Sequence, residues 1–173
     1  MDLISRCRPI KLILSDVDGV LTDGGVIFDN EGIEIKRFHI RDGLGIKLWQ
    51  RAGHHFGIVT GRASHIVQLR AVELGVELVR QGVEDKLPAV KQIISEAGLR
   101  PEEVCYVGDD LPDLPVLRHV GVAVAVGDGC EELQRAAHYV TKAQGGRGAL
   151  REVIELILKA QGHWDNIVRK YGG

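Results

Sequence analysis

Two aspartates one residue apart, Asp16 and Asp18, follow a short apolar run and open the segment Asp16-Val17-Asp18-Gly19. In an extended segment residues two apart face the same way, so both carboxyls can address one ligand. Farther along, Thr60-Gly61-Arg62 and Gly108-Asp109-Asp110-Leu111-Pro112-Asp113 each follow another apolar run, and Lys86 lies in a stretch of helical period between them. These residue types share one chemistry. Asp16 and Asp109 can converge on a hard cation, and Mg2+ favours a few carboxylates with water and phosphate oxygen. With like charges shielded, one carboxylate can attack phosphorus and form an aspartyl-phosphate. The second acid can protonate the leaving oxygen and then deprotonate water. Thr60 supplies a hydroxyl donor, Gly61 lets a backbone N–H approach, and Lys86 places positive charge on a transferring phosphoryl group.

Each feature alone has an ordinary reading. Asp-x-Asp is often a turn or cap pair, Thr60-Gly61 a strand-end turn, Lys86 a solvated lysine, and Asp109-Asp110 the cap of a helix beginning near Leu111. Their occurrence in this order, three of them directly after apolar runs, favours a single site.

The elements that must position these residues are legible as alternating patterns. Ile10–Ser15, Phe56–Thr60, Val104–Val107 and Val122–Val126 read as strands buried on both faces, with a weaker one at Val76–Val79. Helical period marks Ala63–Leu74, Glu84–Ala97 and Leu111–Val120, and Ala149–Ala160 reads as a last amphipathic helix after the flexible Gly145-Gly146-Arg147-Gly148. Such alternation predicts an α/β fold: a Rossmann-like parallel sheet flanked by helices, with its ligand site at the carboxyl ends of the strands. Residues 24–39 break the alternation. Ile33 to Lys36 alternates apolar with polar beyond the turn-rich Asp29-Asn30-Glu31-Gly32, which reads as a half-exposed β-hairpin that covers a site or pairs with another subunit. Residues 161–173 form a tail expected to be mobile.

The 173 residues suit one domain, with 45% hydrophobic and 27% charged residues. A net charge of -2 gives no reason to expect a nucleic-acid or anionic-membrane partner. Cys7, Cys105 and Cys130 are scattered and odd in number, which disfavours a disulfide framework or a zinc knuckle. With no signal segment or spanning run, a cytoplasmic location is expected.

Together the four motifs resemble those of the haloacid dehalogenase superfamily of phosphatases. The resemblance implies Asp16 as nucleophile and metal ligand. It implies Asp18 as general acid/base and donor of a backbone carbonyl to the metal, Thr60 and Lys86 as phosphoryl-binding groups, Asp109 as side-chain ligand of Mg2+, and Asp113 as holder of the lysine or of a metal-bound water. Over about Ile10 to Ala160 the chain further resembles the small capless branch of that superfamily. The features that carry this are Asp18-Gly19-Val20-Leu21-Thr22-Asp23-Gly24, the hairpin, Phe38-His39-Ile40-Arg41-Asp42-Gly43-Leu44-Gly45, Tyr106-Val107-Gly108-Asp109-Asp110 and Gly145-Gly146-Arg147-Gly148-Ala149. That branch implies no cap domain and a homotetramer in which hairpins meet at the centre and neighbouring subunits complete each site.

The implied substrate is a sugar-acid phosphate, 3-deoxy-D-manno-octulosonate 8-phosphate, in lipopolysaccharide precursor synthesis. Its implied contacts are Asp18, His39, Ile40, Arg41, Asp42, Gly43, Lys47, Arg62, Arg70, Lys86 and Asp110. Forked arginines suit a ligand carrying both carboxylate and phosphate. Arg70 reads equally well as a solvated helix face, and Arg41 and Asp42 as a local pair or a cap of the following helix. Three other readings compete. A receiver domain uses similar residues, but its acid pair ends the first strand and its phosphorylated Asp a middle one; here Asp109-Asp110 comes late. A phosphatase for a nonulosonate 9-phosphate fits less well, since those relatives often lack the arginine after Thr-Gly and the Arg-Asp-Gly run. A non-catalytic oligomerisation module would have no need of Asp16, Asp18, Lys86 and Asp109.

Overall fold

The computed structural model describes residues 2–172. After a short helix α1 (Leu3–Cys7), the chain enters β1 (Leu12–Ser15), the hairpin β2 (Ile27–Phe28) and β3 (Glu34–Ile35), and then α2 (Ile40–Arg51). Strand and helix then alternate as β4 (His55–Val59), α3 (His65–Leu74), β5 (Leu78–Arg80), α4 (Lys86–Glu96) and β6 (Val104–Gly108). The remainder is α5 (Leu114–Leu117), β7 (Val122–Ala125), α6 (Glu131–Ala136), β8 (Tyr139–Val140), α7 (Ala149–Ala160) and α8 (Trp164–Arg169).

The main sheet has the order β5-β4-β1-β6-β7-β8, with every neighbouring pair parallel. The chain builds outward from β1 to β4 and β5, then crosses to β6, β7 and β8 on the other side. β1 is therefore the switch point of the sheet, and ligands bind beyond the carboxyl end of such a strand. The apolar runs are continuous because both faces are covered. Ile13, Cys105, Val107, Val122 and Val124 pack with α1, α2, α3 and α7, while Leu12, Leu14, Val104, Tyr106, Ala123 and Ala125 pack with α4, α5 and α6. Successive residues of a strand point to opposite faces, so one run feeds two cores.

Two expectations need correction. The helical period read over Leu111–Val120 is a 3-10 turn at Leu111–Asp113 followed by four helical residues, because Pro112 and Pro115 cannot donate to a continuing ladder. Arg41 and Asp42 do not cap the following helix. They lie in the first turn of α2, whose N-cap is His39, with Nδ1 accepting the Arg41 N–H at 3.3 Å. In the tail, Trp164–Arg169 is helical, with Trp164 and Ile167 packed against the core of the α7 face. In the hairpin Ile33 and Ile35 are exposed, and the polar Glu34 and Lys36 turn inward.

Candidate active site

Asp16 leaves β1 with its N–H still donating to Val107 of β6 at 3.0 Å, so the sheet itself sets its position. The next residues wind tightly. The Val17 carbonyl accepts N–H groups from Val20, Leu21 and Thr22, and Gly19 takes a φ of +89°. That conformation favours glycine, and space requires it too: a Cβ on Gly19 would lie 2.0 Å from Asp109 Oδ2. The loop from β1 is thus laid directly against the acid that follows β6.

These groups open onto a cleft of about 260 Å³ lined by Asp16, Asp18, Thr60, Gly61, Arg62, Lys86, Asp109, Asp110 and Asp113, among others. Lys86, the first residue of α4, is buried with Nζ 2.7 Å from Asp16 Oδ2 and 2.6 Å from Asp113 Oδ1. Asp113 has no spare capacity. Its Oδ1 also accepts the Tyr106 hydroxyl at 2.6 Å, and its Oδ2 accepts the N–H of Asp109 at 3.0 Å. Asp110 caps the turn after β6, with Oδ1 accepting the Leu111 N–H at 2.8 Å. Thr60 is buried at the end of β4, its N–H on Arg80 of β5.

Negative charge is in excess here. Oxygens of Asp16, Asp109 and Asp113 lie within 4.8 Å of one another, three carboxylates against the one ammonium of Lys86. Burial pushes Asp16 up, against the opposing pull of Lys86. Burial, then the charges of Asp16 and Asp113, push Asp109 up to about 7. Burial alone would lower Lys86, but Asp16 and Asp113 outweigh it and hold its ammonium above the ordinary value. A divalent cation would relieve this crowding. Asp113 is saturated, so Asp16 and Asp109 are the carboxylates free to hold one. The Asp18 carbonyl, which accepts no hydrogen bond among the described residues, is an available third oxygen. The donor set is all oxygen, as a hard cation requires.

Glu34 and Lys36 are the site residues that sequence reasoning missed. Lys36 Nζ donates to Asp18 Oδ1 and sits 3.3 Å from Glu34 Oε1. Glu34 accepts from Arg62 Nη2 at 2.9 Å and from the Ser64 hydroxyl at 2.6 Å. Arg62 Nε closes the ring 3.9 Å from Asp18 Oδ2. The signal was present in Ile33-Glu34-Ile35-Lys36, but alternation reports two faces without saying which is inward.

The remaining sequence candidates fall elsewhere. His39, Asp42, Gly43 and Arg70 line a separate small depression beside Phe38. Asp42 is buried, and its Oδ1 accepts the Arg151 N–H at 2.8 Å, capping α7 across the fold. Arg70 pairs with Glu73 at 2.7 Å over the Phe38 ring. Ile40 and Arg41 are exposed and Lys47 is half-buried on α2. Within the chain the candidates therefore form two groups, one around Asp16 and one on α2 and α3.

A parallel sheet with two carboxylates, a hydroxyl and a buried lysine gathered at its switch point defines a phosphoryl-transfer hydrolase. Comparison with known proteins agrees. The sequence profile of haloacid dehalogenase-like hydrolases matches residues 70–153. The 3-deoxy-D-manno-octulosonate 8-phosphate phosphatase of Yersinia pestis is 45% identical over 92% of this chain and 86% of its own. The enzyme of that name from Escherichia coli K12 is 44% identical over 95% and 87%. Among solved structures, the Moraxella catarrhalis phosphatase of that name, in complex with magnesium ion, phosphate ion and KDO, superposes with a TM-score of 0.96 at 42% identity, covering 97% of each chain. The cobalt-bound Haemophilus influenzae enzyme gives 0.88 at 40% identity, covering 91% and 92%. The chain belongs to the haloacid dehalogenase-like hydrolases, in the branch that contains these octulosonate 8-phosphate phosphatases.

Proposed function

We propose that this chain is a Mg2+-dependent phosphatase that hydrolyses 3-deoxy-D-manno-octulosonate 8-phosphate to the free sugar acid and phosphate, in lipopolysaccharide precursor synthesis. The observation that carries the chemistry is the bridge from Lys86 to Asp16, with Asp109 alongside in the same cleft. Likeness to the octulosonate phosphatases along nearly the whole chain supports the substrate.

Asp16 and Asp109, with the Asp18 carbonyl, would hold the Mg2+, which supplies charge neutralisation for an anionic nucleophile and phosphoryl group. The Asp16 carboxylate attacks phosphorus, and Asp18 gives a proton to the departing sugar oxygen. Water then attacks the aspartyl-phosphate while Asp18 takes the proton back. Lys86 and Thr60 hold phosphoryl oxygens, and Arg62, whose side chain is 45% exposed, offers a fork to the sugar acid.

His39, Ile40, Arg41, Asp42, Gly43, Lys47 and Arg70 belong, in this reading, to a site completed between subunits of a homotetramer. The exposed apolar residues Val26, Ile27, Phe28, Ile33 and Ile35 on the hairpin support such assembly. Free thiols at Cys7, Cys105 and Cys130 suit the cytoplasm. Among the described residues no helix is long and apolar enough to cross a membrane.

The deciding experiment is phosphate release, with Mg2+, from a panel of sugar phosphates. The octulosonate 8-phosphate is expected to give the highest kcat/KM. A nonulosonate 9-phosphate that exceeds it would overturn the substrate assignment.

A further inference from the structure

The hairpin segment from Ile33 to Lys36 exposes Ile33 and Ile35 on one face, and on the other Glu34 and Lys36 form a buried ion pair that reaches Asp18 of the active site. The Lys36 side chain is 1% exposed, so its ammonium is not a solvated surface charge. A buried ammonium is costly unless carboxylates surround it, and its two neighbours are Asp18 and Glu34. Asp18 Oδ1 is occupied by Lys36, whereas Oδ2 accepts no hydrogen bond among the described residues and lies 3.9 Å from Arg62 Nε. The two oxygens of one carboxyl are thereby made unequal.

We propose that Lys36 is a positioning residue for Asp18: it locks Oδ1, so that protons leave from and return to Oδ2. This rests on the reading of Asp18 as the acid and base of the reaction. As Asp16 bonds to phosphorus and the bond from phosphorus to the sugar oxygen breaks, the proton on Oδ2 passes to that oxygen. As water bonds to phosphorus and the bond to Asp16 breaks, a water proton returns to Oδ2. Glu34 holds the other side of Lys36 and ties it to Arg62, so the hairpin sets both residues at the mouth of its own protomer's cleft. In the proposed assembly, the exposed apolar residues of the same hairpin make subunit contact and catalysis share one element.

The test uses full-length Lys36→Met, which keeps the length of the stem, with two esters in the presence of Mg2+. One is 3-deoxy-D-manno-octulosonate 8-phosphate; the other is 4-nitrophenyl phosphate, whose leaving group needs no proton. On the sugar ester kcat is expected to fall about a hundredfold, with KM changed by less than about threefold. On the aryl ester, loss of the base step alone should give a burst of one nitrophenolate per site followed by slow turnover, and Lys36→Arg should recover part of the sugar-ester rate. Equal losses on both esters without a burst, or sugar-ester turnover within about twofold of wild type, would overturn the proposal. If Lys36→Met is poorly folded, Lys36→Gln takes its place with the same expected pattern on the two esters, and in an Asp18→Asn background the position-36 change should cost less than about twofold more. An undiminished further loss there means that Lys36 acts other than through Asp18. Wild-type protein that hydrolyses neither ester defeats the phosphatase reading itself, and this inference with it.

Discussion

Asp113 Oδ1 lies 2.6 Å from Lys86 Nζ, with both side chains withdrawn from solvent. The same oxygen takes the Tyr106 hydroxyl, and its neighbour takes the Asp109 N–H. One carboxylate thus ties the start of α4 to the interior of β6 and to the loop beyond it, and Lys86 reaches Asp16 from a fixed base. Replacing Asp113 with Ala leaves Tyr106 unpaired and Lys86 with half its counter-charge. Urea unfolding should register a loss of about 3–5 kcal/mol, with Asp113→Asn, which still accepts hydrogen bonds, losing less. Equal stability of Asp113→Ala and wild type would mean that the network contributes nothing.

Asp16→Asn is expected to abolish turnover, because an amide is a poor nucleophile and a poor ligand. Asp18→Asn should slow both half-reactions by about 10²–10⁴-fold while Mg2+ binding stays largely intact. Rapid-quench measurement of phospho-enzyme, beside calorimetric Mg2+ titration, separates the two. Full activity of Asp16→Asn would remove the mechanism.

Burial and the charges of Asp16 and Asp113 push Asp109 up to about 7 without metal, from the 3.8 of an unfolded Asp. Between those values the metal-free folded state holds the extra proton, so this group makes the metal-free protein lose stability as pH rises from about 4 to 7. Cation binding needs the carboxylate, so apparent Mg2+ affinity should fall about tenfold per pH unit below 7 and level off above it. Titrations in buffers of different ionisation enthalpy would detect the released proton; its absence at pH 6 would contradict the assignment. Glu103 acts with the opposite sign. Hydrogen bonds from Lys11 and the Arg100 N–H lower it to about 2, so its contribution is present above about pH 4.5 and is lost as pH falls toward 2.

Gly19→Ala meets both an unfavourable φ and the Asp109 carboxylate. The strain is about 1–2 kcal/mol, but the larger consequence is displacement of Asp109. Mg2+ affinity should drop more than Tm, and a variant that loses only Tm would show that the contact does not shape the metal site.

The four central strands were legible because burial on both faces leaves uninterrupted apolar runs. Helix α2 was seen only as a stretch following Asp42, since Gly43 and Gly45 weaken helical propensity by about 1 kcal/mol each. Packing explains them: a Cβ at Gly43 would lie 2.4 Å from Arg70 Nη2, and one at Gly45 would press on Arg151 and Ile154. Strand β8 has two residues at the sheet edge, too few for a periodic signal. Around the site, Asp16, Thr60, Lys86 and Asp109 were legible because each follows or opens a regular element. Lys36 was not, since its partner is 18 positions away through a hairpin whose twist decides which face turns in.

The loop of Gly145 and Gly146 lies flat on the turn after Asp16. A Cβ on Gly145 would fall 1.8 Å from the Gly19 carbonyl oxygen, and the Gly146 N–H donates to Val20 at 2.9 Å. In a chain made from its N-terminus, the nucleophile is synthesised early and its turn receives this support late. Emerging chains that carry Asp16, Thr60 and Lys86 but not yet the glycine loop should therefore be catalytically silent. Competence would then arrive late in synthesis, after most of the sheet has formed.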